Sequence, residues 1–178
     1  TSPLGPDKLL FYRMTAHERL GRLFEFHLEV LSEDPAIALQ DIVAQPLGVH
    51  VEPPEGTPRH FHGLVTQFRS AGTLGRLARY SATVRPWLWF LTRTADCKIF
   101  QAMTVPDIVQ AVFRDLGFTD FEIKLSATYR TWDYCVQYRE SDFDFVSRLM
   151  EQEGIYYYFR HEEGKHTLVL SDAMGAHE

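Results

Sequence analysis

The sequence predicts an α+β chain: a small antiparallel β-barrel followed by a compact α+β unit with two helices and a C-terminal hairpin. Three observations lead there. Period-two alternation broken by tight turns fills the first half. Two stretches of the second half carry paired helix start and stop signals, and after Gly154 the hydrophobic rhythm changes from helical to two.

In LFEFHLEVL, from Leu23 to Leu31, Phe24, Phe26, Leu28 and Val30 fall on one side and Glu25, His27 and Glu29 on the other, the pattern of a half-buried strand. Ser-Glu-Asp-Pro then makes a turn, Pro46 and Gly48 interrupt, and a strand from Val49 to Glu52 ends in the Pro-Pro-Glu-Gly-Thr-Pro loop. His60 to Ser70 reads as the next strand, Ala71 to Leu74 as a glycine turn, and Leu77 to Leu91 as a long extended run. Strands joined without long helices favour closure, because a barrel has no unpaired edges. In MTVPDIVQAVFRDLGF, Thr104 and Asp107 form a capping box, Gly117 supplies a left-handed stop, and Val105, Ile108, Val109, Val112 and Leu116 share one face. FEIKLS and Tyr134 to Tyr138 follow. Next, Ser141 caps a second helix, with Asp144 as the box acid, Asp142 near the positive end of the dipole, and Val146, Leu149 and Met150 as its buried stripe. Gly154 ends it. Ile155, Tyr157 and Phe159 then alternate with Tyr156, Tyr158 and Arg160, and a turn at Glu162 to Lys165 leads into a strand from His166 to Ser171. The expected division is residues 1–100 for the barrel and 101–178 for the α+β domain, with the boundary between Phe90 and Thr104.

Composition narrows the function. The chain has 178 residues, 45% hydrophobic, enough for one generous core or two small ones. Eighteen basic against 24 acidic residues give a formal charge of -6, which excludes in bulk the basic surface of a nucleic-acid binder. No apolar run approaches the roughly 20 residues of a membrane span, and TSPLGPDKLLFYR lacks the marks of a secretory signal, so a soluble cytoplasmic chain is expected. Cys97 and Cys135 have no metal or redox spacing and read as half-buried thiols.

No catalytic residue, cofactor site or metal site is assigned. His60 and His62 form an HxH pair that would share a strand face, but no third ligand is evident; both read as polar side chains on the barrel surface, and His161, His166 and His177 as solvent-facing. A nucleophile elbow is absent, and burial of Cys135 within YCVQY would quiet its thiol. Asp142 with Asp144, and Glu151 with Glu153, are explained by their helical positions. Aromatic density is the remaining anomaly. Trp87, Trp89, Trp132 and Tyr156 to Tyr158 suit either a carbohydrate-stacking platform, as in a carbohydrate-binding module, or packing anchors. Trp87 and Trp89 would share a strand face with Arg85, and Pro86 interrupts that strand, so Arg85, Trp87 and Trp89 are read as interface and packing candidates.

In order and nearly without gaps, LLFYRM, RLFEFHLEVLSED, FHGLVTQF, RPWLWFLTRTADCKIFQ and YCVQYRESDFDFVSRLMEQEGIYYYFRHEEGKHTLVLSD resemble the N-terminal part of VgrG proteins, the spikes of type VI secretion systems. The resemblance runs from about Pro3 to Asp172. It implies a hub related to phage baseplates: a barrel, an inserted α+β domain, a second barrel, then a stalk and a β-helical needle, assembled as a trimer. The second barrel, stalk and needle are expected to be absent from this chain. The implied role is non-enzymatic: stacking on the hexameric tube protein, usually called Hcp, contacting baseplate components and transmitting contraction during effector delivery. The implied location is cytoplasmic during assembly, then secreted or delivered into a target cell.

Overall fold

The computed structural model describes residues 1–173, so His177 lies outside the described residues. The chain is mostly β, and it divides into two compact units with their main break between Pro86 and Trp87. Sequence reasoning placed that break near residue 100. Pro86 explains the earlier position, because a residue without a backbone N–H cannot extend the ladder of the preceding strand.

The first unit comprises Thr1–Arg19, Leu23–Pro86 and His161–His166. Its strands are β1 (Leu10–His17), β2 (Glu25–Ser32), β3 (Pro46–Val51), β4 (Arg59–Leu74) and β5 (Leu77–Arg85). They form one antiparallel sheet in the order β1-β2-β5-β4-β3. Phe24, Phe26, Leu28 and Val30 are buried as their alternation requires, beside Val65, Phe68, Tyr80 and Val84. Phe24 stacks on Phe26 at 4.5 Å between ring centroids, and Phe68 stacks on Tyr80 at 5.0 Å. The Tyr80 hydroxyl donates to the Asp34 carbonyl (2.8 Å), anchoring the turn after β2.

Two expectations are corrected here. The sheet is a curled half-barrel rather than a closed one, with β1 and β3 at its edges. Thr1 instead covers part of β3: the Gly48 N–H donates to the Thr1 carbonyl (3.0 Å), and the Thr1 ammonium donates to the Gly48 carbonyl (2.7 Å). The glycine turn expected at Ala71 to Leu74 is a bulge within β4, between Ser70 and Thr73; the chain reverses only at Gly75 and Arg76, where Gly75 has φ +60°. β1 went unanticipated, since an exposed edge strand need not alternate.

The second unit comprises Leu20–Arg22, Trp87–Arg160 and the chain from Thr167. Its elements are β6 (Ala95–Met103), α1 (Val105–Asp115), β7 (Phe121–Lys124), β8 (Trp132–Ser141), α2 (Asp142–Gln152) and most of β9 (Tyr156–Glu162) and β10 (Lys165–Ser171), whose residues from His161 to His166 belong to the first unit. β6 pairs with β8 antiparallel, and β10 lies between β9 and a parallel β7. Both helices are written locally. The Thr104 and Ser141 hydroxyls accept from the Asp107 and Asp144 N–H groups (3.4 and 3.0 Å) and donate to the same residues' carboxylates (2.6 Å each). At the other ends Gly117 and Gly154 have positive φ, and Phe118 N–H donates to the Phe113 carbonyl (2.9 Å) as Ile155 N–H does to Met150 (2.8 Å). Ile108, Val109, Val112 and Phe113 from α1, with Phe145, Val146, Leu149 and Met150 from α2, are buried.

The Asp172 carboxylate gathers donors from a single loop: the N–H groups of Ser126 and Ala127 and the hydroxyls of Ser126 and Tyr129, all within 3.0 Å. The Ala127 N–H leads in pulling its pKa down to about 2. This pKa lies below that of a free carboxyl, so the stabilisation is present above pH ~4 and is lost as pH falls toward 2. Asp172→Asn should therefore lower the melting temperature at pH 7 and shrink its fall between pH 4 and 2, as read by circular dichroism. A second expectation comes from β4. A Cβ on Gly63 would lie 2.7 Å from Val84 Cγ1, 2.8 Å from the Arg85 carbonyl oxygen and 3.0 Å from Phe24 Cε2. Gly63→Ala should cost about 1–3 kcal/mol in urea unfolding.

Candidate functional site

Arg85 ends β5 and belongs to the first unit. Its Nε donates to Glu25 Oε2 (2.6 Å), and one terminal nitrogen donates to the Thr66 hydroxyl (2.8 Å), so its fork is held by β2 and β4. Past Pro86 the chain does not stay extended. Trp87–Thr92 is a 3₁₀ helix, which overturns the expectation that Trp87 and Trp89 share a strand face with Arg85. Within the second unit, Trp87 is only 3% exposed. It stacks on Phe118 (4.8 Å), meets Phe113 edge-on (5.0 Å) and donates its indole N–H to the Asp120 carbonyl (3.2 Å). Trp89 is half-buried, with the Arg93 guanidinium 4.7 Å from its ring. The structure therefore puts the three candidates in three environments.

The histidines also differ from expectation. His60 lies opposite His50 across β3 and β4, and the two rings stack at 4.6 Å. His62 lies opposite Gly48, is 7% exposed, and places Nδ1 2.9 Å from Nδ1 of His166, which is 4% exposed. Nδ1 of His161 accepts from the His62 backbone N–H (3.1 Å), and its Nε2 lies 2.8 Å from a Glu18 carboxylate oxygen. His62, His161 and His166 are thus enclosed rather than solvent-facing. No alternation within one strand could reveal this, because the partners lie about a hundred residues apart along the chain. Among the described residues no group of three or more His, Cys, Asp or Glu side chains is arranged to hold a metal ion.

Acids and thiols considered for chemistry have other tasks. Asp142 is buried and accepts from Gln137 Nε2 (2.7 Å), while Asp144 closes its cap. Burial raises the pKa of Cys135; Cys97 is exposed, where a half-buried thiol was expected. The pair β6 and β8 carries the surface feature that sequence reasoning missed. Ile99 opposes Val136, Cys97 opposes Tyr138 and Gln101 opposes Tyr134, all exposed, with Ile99, Tyr134 and Tyr138 each more than 60% accessible. Alternation of Tyr134, Val136 and Tyr138 with buried Cys135 and Gln137 was the available signal. Among the described residues no helix is long and apolar enough to cross a membrane.

Burial separates the tryptophans energetically. Trp87→Ala should cost about 3–5 kcal/mol in urea unfolding, and Trp89→Ala clearly less. Equal losses would contradict the assignment of Trp87 alone to the core.

With this geometry established, comparison with known proteins is specific. The chain is 57% identical over 176 residues to the type VI secretion system spike protein VgrG1c of Pseudomonas aeruginosa, covering 99% of this chain and 24% of that protein. VgrG1a of the same organism is 56% identical over 175 residues, 98% of this chain and 27% of the relative. The chain thus spans about a quarter of the length of these relatives. Among solved structures, an Escherichia coli component of the type VI secretion system, described as similar to the T4 tail proteins gp27 and gp5, superposes with TM-score 0.86 at 27% identity, covering 96% of this chain and 48% of that one. Residues 17–178 match the profile described as phage tail baseplate hub, and the chain belongs to that family.

Proposed function

We propose that this chain is the hub portion of a type VI secretion spike and acts mechanically. In the longer protein three copies form a ring, the half-barrel sheet stacks on a hexameric Hcp-like tube, baseplate components hold the ring, and the assembly passes on the thrust of contraction as effectors are delivered. It is assembled in the cytoplasm and leaves with the spike. The single observation supporting this reading is the identity with VgrG1c, which extends over 99% of the chain and so over both units. The structural tasks of Asp142 and Asp144 agree with a non-enzymatic part. Vibrio cholerae actin cross-linking toxin VgrG1 is 42% identical over 113 residues, 10% of that protein, and its named chemistry is not carried over to this segment. A ring under axial load needs dense packing and repeated interfaces. Arg85, Trp87 and Trp89 are proposed to serve it, Trp87 by stiffening its own unit and Arg85 and Trp89 as packing contacts.

Native mass spectrometry of the longer spike mixed with the tube protein tests the reading. The expected species contains three spike chains on one tube hexamer. A spike that remains monomeric and leaves the hexamers bare would overturn it.

A further inference from the structure

Three imidazoles from chain-distant segments meet inside the first unit. The opposed Nδ1 atoms of His62 and His166, 2.9 Å apart, form a hydrogen bond only if one is protonated and the other is not. His161 accepts the His62 N–H at its own Nδ1, so its ring proton belongs on Nε2, facing Glu18. The arrangement holds while His161 is neutral and while His62 and His166 carry at most one charge between them. A further proton removes an acceptor and sets like charges side by side in an enclosed place.

We infer that His62, His161 and His166 form an acid-sensitive latch, which holds the 161–166 segment on β4 and contributes less to the stability of the folded chain as pH falls into mild acid. The Phe24 ring meets His161 and His166 edge-on at 4.8 and 5.6 Å, and covers the cluster with hydrocarbon. Glu18 is the carboxylate facing His161, and it also lies 4.0 Å from Arg59 of β4. His50 and His60, with Glu162 and Glu163 of the hairpin turn, line an adjoining open cleft, while Lys165 is exposed. Desolvation, followed by the charges of His62 and His161, lowers the His166 pKa to about 3. The sign follows from this depression. Above pH ~6.5 the cluster contributes its full stability, and as pH falls from 6.5 toward 3 the unfolded chain takes up a proton that the folded chain refuses.

Urea unfolding of the chain beside His166→Gln, at pH 7 and pH 5, measures the effect. Between these values the unfolding constant of the unaltered chain should rise about twenty-five-fold more than that of the variant, the factor for one histidine of ordinary pKa kept neutral by folding. Parallel pH responses would overturn the inference. If His166→Gln does not fold, long-range 1H–15N spectra of the unaltered chain from pH 7.5 to 5 decide. A His166 ring that stays neutral supports the latch, and one that becomes imidazolium near pH 6.5 in the folded chain refutes it.

Discussion

The close passage of β4 over Phe24 and beside β5 at Gly63 is the constraint from which the first unit follows. Without a side chain at that position, the ring of Phe24, the Val84 side chain and the Arg85 carbonyl converge on the β4 backbone. Their convergence lets one face of β2, β4 and β5 become a continuous apolar layer. Everything carried by the sheet, including Arg85 on its ion pair and His62 in its enclosure, rests on that buried layer being closely packed.

The second unit relies on a different economy. Each helix is delimited by groups within a few residues of its ends: a hydroxyl and a carboxylate at the start, a glycine and a returning N–H at the stop. The ends of each helix are thus specified locally, in agreement with the apolar face that packing buries. Arg148 adds a tie across the joint between β8 and α2, donating to both Glu140 carboxylate oxygens and to the Val136 carbonyl (2.8 Å).

These two situations explain what could be read from sequence. Alternation in β2 and the caps of α1 and α2 are local signals, and their residues lie where the pattern put them. β1 was missed because its burial depends on being an edge. The run after Leu77 was read as extended through Leu91 because Trp, Leu and Phe suit a strand, whereas Pro86 ended the ladder and let a tight helix follow. Of the interface and packing candidates, Arg85 could be placed at a strand end, but the separate fates of Trp87 and Trp89 depended on that helical turn. The histidine cluster had no local signature at all, since it exists only where strands distant in the chain converge.

The interleaving of the units bears on how the chain is made. Residues 161–166 complete the first unit, and Leu20–Arg22 belong to the second, with the Gly21 N–H donating to the Tyr157 carbonyl (2.8 Å). A ribosome therefore releases neither unit whole until almost the entire stretch has emerged, and the β1 to β5 sheet is made before the 161–166 segment of its own unit. Contacts of such long sequence separation carry a loop-closure cost that local pairing does not, and they belong to the class that slows folding.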